Sequence, residues 1–142
     1  MSATTFNEAL EGLFRAMRDA RVRPTALPGV ISLPQMVLLL PLLDGDGTRS
    51  VRELADAAGI ASPTATRMLD GLEREGVINR RPSETDRRSV LVELTAVGRV
   101  QTEEAREAAR AARLELYRRL EPHEREEAER IVRRLTEIIR SG

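Results

Sequence analysis

Apolar residues return at helical spacing through Phe6, Leu10, Leu13, Phe14 and Met17, which places them along one side of an α helix. Just ahead, Thr5 and Glu8 stand three apart, the spacing of a capping box in which each side chain accepts from the other residue's free backbone amide. The pattern predicts a helix over Phe6–Arg21. In "RPTALPGVIS", Pro24 and Pro28-Gly29 interrupt helical hydrogen bonding and predict an extended connection. Ser32 and Gln35 form a second capping box, and the run "QMVLLLPLL" that follows is almost wholly apolar, so this helix is expected to be buried on most sides. Pro41 inside it removes a donor and clashes with the preceding turn, at about 3 kcal/mol in a regular helix. A kink or an early end is expected there.

Two further helices are written between Ser50 and Asn79. Ser50 and Glu53 make a third capping box, Val51, Leu54, Ala55 and Ala58 supply an apolar stripe, and Gly59 provides the left-handed residue that ends a helix. After a short turn, Ser62 is expected to cap the next helix with Pro63 at its first position. Ala65, Met68, Leu69 and Leu72 form the buried face of this helix as far as Gly76. Two strands are predicted next: Val77-Ile78 leads into "NRRP", and Val90, Val92 and Leu94 alternate with their neighbours. Between them lies the loop "PSETDRR". Helix, tight turn, helix and hairpin together spell a winged helix-turn-helix, the arrangement in which the second helix reads DNA.

From Thr95 the pattern is helical again. Val97, Val100, Ala105, Ala108, Ala109, Ala112, Leu116 and Leu120 mark a long helix stopping near Glu121, and Pro122 starts another with Ala128, Ile131, Val132, Leu135, Ile138 and Ile139 on one face. Between Glu103 and Arg140 the sequence carries ten arginines and ten glutamates, so the opposite face is solvated. Two such helices have more apolar stripe than a small winged lobe can cover, and a two-fold dimer is the commonest arrangement that covers it.

Composition narrows the choices. The 142 residues suit one domain; aromatic residues make up 2% and charged residues 32%, which favours packed helices. With no cysteine, disulfides, thiolate metal sites and thiol nucleophiles are excluded. No apolar run approaches the roughly 20 residues of a bilayer helix, and the acidic residues near the start are unlike a signal peptide; a cytoplasmic protein without membrane contact is expected. "DGDG" at Asp44–Gly47 begins like a calcium loop, but Arg49 and Ala55 stand where its glycine and bidentate glutamate belong, so a turn is read there and no metal. His123 has no catalytic or ligating company and is read as a surface histidine. Tyr117, Phe14 and Phe6 are read as core packing ahead of pocket lining. The chain is expected to be neither an enzyme nor a cofactor carrier, since no nucleophile, base and orienting group assemble.

The formal net charge is zero, yet Asn79–Arg88 holds Arg80, Arg81, Arg87 and Arg88 against Glu84 and Asp86, a local +2 by count, and all four arginines are expected to converge at the wing as DNA-binding residues. On the second helix of the motif, Ser62, Thr64, Thr66, Arg67 and Arg74 face away from the apolar stripe and suit phosphates or base edges. At the wing, Arg88, with Arg87 beside it, is expected to enter a minor groove, while Asp86 holds a guanidinium in place.

"DRRSVLVELT" fits a wing signature of Asp, any residue, Arg, five residues, then Leu-Thr, here Asp86, Arg88, Leu94 and Thr95. With "LADAAGIASPTATRMLDGLEREGVINRR" ahead of it, nearly the whole chain resembles the multiple antibiotic resistance regulator (MarR) family. The resemblance implies a mainly α (α+β) fold: a single domain over 1–142, with a DNA-binding lobe at 32–95 and helical dimerisation regions at 1–31 and 96–142. It implies a homodimer joined through its terminal helices, among whose apolar residues are Phe6, Leu10, Leu13, Leu120, Ile131, Val132, Leu135, Ile138 and Ile139. Its double-stranded DNA partner is a pseudo-palindromic operator, from which a small aromatic or amphipathic ligand releases a repressor. Pro41 departs from the usually uninterrupted family helix, and the absence of cysteine rules out thiol-oxidation sensing. The alternative class is a winged-helix protein-interaction scaffold without sequence-specific DNA binding.

Overall fold

The computed structural model describes residues 2–22 and 31–142. Among these the elements run α1 (Ala3–Val22), α2 (Leu33–Leu39), a 3-10 turn (Leu40–Leu43), β1 (Thr48–Ser50), α3 (Val51–Ala58), α4 (Ser62–Arg74), β2 (Ile78–Pro82), β3 (Val90–Leu94), α5 (Ala96–Arg119) and α6 (Pro122–Ser141). They form two compact units, Met1–Ala105 and Arg106–Gly142.

The first helix begins earlier than its apolar spacing predicts. Ser2, not Thr5, occupies the capping position: its hydroxyl accepts from the Thr5 amide at 3.3 Å and its carbonyl from the Phe6 amide at 3.2 Å. Its apolar residues also differ from expectation. Phe6 and Phe14 are each 54% exposed and Leu10 is half-buried, so the two phenylalanines are not core residues of this chain. The connection expected at Pro24 and Pro28-Gly29 lies outside the described residues.

Both predicted capping boxes of the next helices form. Ser32 and Gln35 exchange bonds at the start of α2, and Ser50 and Glu53 at the start of α3. Pro41 ends the regular helix as expected: α2 stops at Leu39 and Pro41 enters a 3-10 turn, whose tighter geometry needs no amide at that position. The segment is buried on one side, through Met36, Leu38, Leu39 and Leu42, while Leu33 and Val37 remain exposed.

After the turn at Gly45 and Gly47, both left-handed, the chain makes a strand absent from the sequence reading. β1 pairs with β3 through Thr48–Glu93, Arg49–Val92 and Ser50–Leu91. A three-residue strand is too short to show alternation, and its partner lies some forty positions along the chain. Asp46 fixes its start: bonds from the backbone and side chain of Thr48, with Arg49 alongside, hold the Asp46 carboxyl below the usual carboxylate range.

The sheet order is β1-β3-β2, antiparallel throughout, with Ile78 opposite Leu94 and Arg80 opposite Val92. Its inner face meets α3 and α4 in a core of Leu54, Ala55, Ala65, Leu69, Leu72, Ile78 and Val92. Gly59 ends α3 at φ 68°, as its position predicts.

In the second unit no residue of α6 is buried. Pro122 stands in its first turn as expected, and Glu121 and Glu124 form a further capping box. Where α5 gives way to α6, the Arg125 guanidinium lies 4.9 Å above the Tyr117 ring and donates to the Leu120 and Arg118 carbonyls. Tyr117 is half exposed and is therefore a platform for a cation rather than a core residue. His123 is exposed. No described helix is long and apolar enough to cross a membrane.

Candidate nucleic-acid interface

Two elements place the candidate residues. α4 turns Ala65, Leu69 and Leu72 into the core and leaves Ser62, Thr64, Thr66, Arg67 and Arg74 exposed. The capping arrangement differs from the sequence expectation by one position. Ala61 is the N-cap and makes no side-chain bond, so Ser62 is the first helical residue and Pro63 the second. The first-turn amides therefore have no side-chain cap, and such unsatisfied donors with the helix dipole suit a phosphate oxygen.

The wing is the β2–β3 hairpin. Its loop is closed by the Ser83 amide donating to the Ser89 carbonyl at 2.9 Å, and by the Ser89 amide donating to the Asp86 carbonyl at 3.0 Å. Asp86 acts differently from the expectation that it holds a guanidinium. Its Oδ1 accepts from the Arg88 backbone amide at 3.0 Å and its Oδ2 from the Ser89 hydroxyl at 3.0 Å. The short carboxylate reaches the backbone two residues on before it can reach an arginine head group, as in an Asx-turn. It thus shapes the loop while leaving both guanidiniums out of its grip. Among the described residues Arg87 and Arg88 make no ion pair, and both are exposed.

The other two wing arginines are engaged within the chain. Arg81 Nε lies 3.5 Å from Glu93 Oε2 across the hairpin. Arg80 Nη1 lies 2.7 Å from Asp70 Oδ1 and 2.7 Å from Glu73 Oε2, both on α4. The sequence brings four arginines to the wing, whereas the structure sorts them into a free pair at the tip and a paired one at the base. No sequence signal exposes that sorting, because Asp70 and Arg80 belong to different elements.

One further contact joins this lobe to α5. The Thr95 amide donates to the Val77 carbonyl at 3.0 Å, and the Thr95 hydroxyl donates to the Gly76 carbonyl at 2.6 Å while accepting from the Gly98 amide at 2.9 Å. Thr95 therefore caps α5, and it also ties that helix to the end of α4.

A model of the MarR family matches residues 31–90, which include α3, α4 and the wing as far as the first residue of β3. By that match this part of the chain is similar to the MarR family. The MarR match agrees with similarity to the HTH-type transcriptional regulator YfiV of Bacillus subtilis, 45% identical over 65 residues, 46% of this chain and 40% of YfiV. The chain thus spans less than half the length of that curated relative. Over its fold, the chain is similar to Bordetella bronchiseptica BpsR, whose DNA binding is regulated by 6-hydroxynicotinic acid. The TM-score is 0.70 at 26% identity, covering 91% of this chain and 98% of that one. It shares its fold with Streptococcus pneumoniae FabT, solved in complex with DNA, at a TM-score of 0.76 and 21% identity over 99% of each chain. The curated relatives are named as transcriptional regulators, in line with the expectation that the chain is not an enzyme.

Proposed function

We propose that the chain is a dimeric, sequence-specific DNA-binding transcriptional repressor of the cytoplasm. The observation that carries the reading is the pairing of an uncapped, polar α4 N-terminus with a wing tip whose Arg87 and Arg88 make no ion pair among the described residues. In this reading α4 enters a major groove, with Ser62, Thr64 and Thr66 on phosphates or base edges and Arg67 on a guanine edge. Arg74 and Arg81 add positive potential along the backbone. Arg88, with Arg87 beside it, enters the adjacent minor groove, where a narrow A·T tract concentrates negative potential. Asp86 contributes by holding the loop that presents them.

The dimer is supported by the apolar residues left uncovered in the chain: Phe6 and Leu13 on α1, and Ile131, Val132, Ile138 and Ile139 on α6. Leu10, Leu120 and Leu135, half-buried, are also proposed to face the partner copy. Residues 32–95 serve as the DNA-binding lobe, and 1–31 with 96–142 as the dimerisation region. Release by a small aromatic or amphipathic molecule is supported by the regulation of BpsR by 6-hydroxynicotinic acid.

A salt titration against duplex DNA tests the reading. The logarithm of the binding constant should fall linearly with the logarithm of salt concentration, with a slope reflecting several phosphate contacts. Arg88→Ala should weaken binding by about 1 to 3 kcal/mol and relax the preference for A·T flanks. Absence of any salt-dependent DNA binding would leave the protein-interaction scaffold as the better reading.

A further inference from the structure

Asp70 and Glu73 put two carboxylates on the exposed side of α4, next to Arg67 and Arg74, with which they line one surface depression. On a helix that approaches a polyanion, two acids oppose binding unless something answers their charge. Arg80 answers both. Its Nη1 sits 2.7 Å from each carboxylate, and its Nη2 donates to the Thr66 carbonyl at 3.4 Å. Thr66, Asp70 and Glu73 recur at i, i+4 and i+7, so one guanidinium spans two turns along a single helix face. The side chain is only 20% exposed. With Nη1 committed to two carboxylates, the fork that would grip a phosphate is already occupied.

Arg80 also sits at the middle of β2, opposite Val92 of β3, between the buried start of the hairpin at Ile78 and its exposed tip. A tie at that point sets the angle at which the outer hairpin leaves α4. We infer that Arg80 is a positioning residue, bracing the wing against the recognition helix so that α4 and the wing tip meet the major and minor grooves at a fixed spacing. The inference rests on the DNA-binding reading above and gives Arg80, which the sequence alone groups with the DNA-facing arginines, the part of a brace.

The test uses the chain of 142 residues and two probes: a duplex selected from random DNA by the wild-type protein, and a scrambled duplex of the same length. Arg80→Gln should lower affinity for the selected duplex by roughly tenfold, the size of a mismatched base pair. Affinity for the scrambled duplex and the salt slope should stay as in the wild type. Arg80→Lys, which keeps the charge but loses the planar fork, should fall in the same way. Glu73→Gln supplies the second, independent variant. It removes a negative charge from the DNA-facing side, so electrostatics alone would tighten both duplexes, whereas loss of the brace weakens the selected one. Equal losses on both duplexes, a salt slope reduced by about 1 as for a lost phosphate contact, or tighter binding by Glu73→Gln would each overturn the inference. If the wild-type chain selects no duplex, the DNA-binding reading fails, and amide exchange in the free protein still judges the brace. Arg80→Gln should then speed exchange along the β2–β3 ladder, and unchanged exchange overturns it.

Discussion

Gly98→Ala should destabilise the protein by about 3 kcal/mol or more, although alanine is the better helix former by about 1 kcal/mol. The two effects have opposite signs, and the geometry decides which wins. Gly98 lies in the first turn of α5 and is buried against the backbone of Val77, where a Cβ would overlap the Val77 carbonyl. A flexible side chain could swing aside; a peptide group cannot, because Val77 is fixed from several directions. Its amide donates to the Leu72 carbonyl at 2.9 Å, and its carbonyl accepts from the Thr95 amide. The carbonyl of Gly98 is itself engaged by the buried Thr102 hydroxyl at 2.7 Å. Adding one methyl group therefore means separating α5 from the start of the hairpin and breaking the Thr95 bonds that close it. Urea melts of wild type and variant at one protein concentration measure the difference. A variant as stable as the wild type would show that helix propensity, not close packing, governs this turn.

What could be read from the sequence was what neighbours in the sequence decide. The Ser32–Gln35 and Ser50–Glu53 capping boxes, the left-handed Gly59 and the end of α2 before Pro41 are all fixed within four residues, and all were expected. The α4 N-terminus shows how narrow that margin is. Ser62 and Pro63 each satisfy a capping rule, yet the helix takes Ser62 in as its first residue and leaves Ala61 at the cap. Features set by distant partners were not legible. β1 exists because β3 lies beside it, and Arg80 is paired because α4 presents Asp70 and Glu73 across a tertiary contact. Gly98 did leave a trace, since a glycine inside a helical pattern lowers helix propensity and asks for a packing reason. The apolar stripes of α1 and α6 were read correctly as stripes, because helical spacing alone lines them up.

That uncovered surface carries the second large expectation: Ile139→Glu should convert the proposed dimer into monomers. Ile139 is 78% exposed and Val132 62% exposed, on a helix with no buried residue. Apolar surface of this size left in water is unfavourable until something covers it, so this face has reason to be covered. In a two-fold dimer each substitution occurs twice. Losing the burial of two isoleucines removes about 3 to 6 kcal/mol, and two carboxylates left unpaired in an apolar interface add to the loss. The dissociation constant should rise by at least about a hundredfold, which sedimentation velocity across a concentration series would detect. The consequence for DNA follows from linkage between half-sites. Monomers should keep the affinity of one recognition helix and wing for a half-site, but lose the gain that a second, tethered lobe supplies on the full pseudo-palindrome. A wild-type chain that sediments as a monomer at tens of micromolar sinks the dimer. A monomeric Ile139→Glu that binds the full site as tightly as the wild type would sever dimerisation from operator recognition.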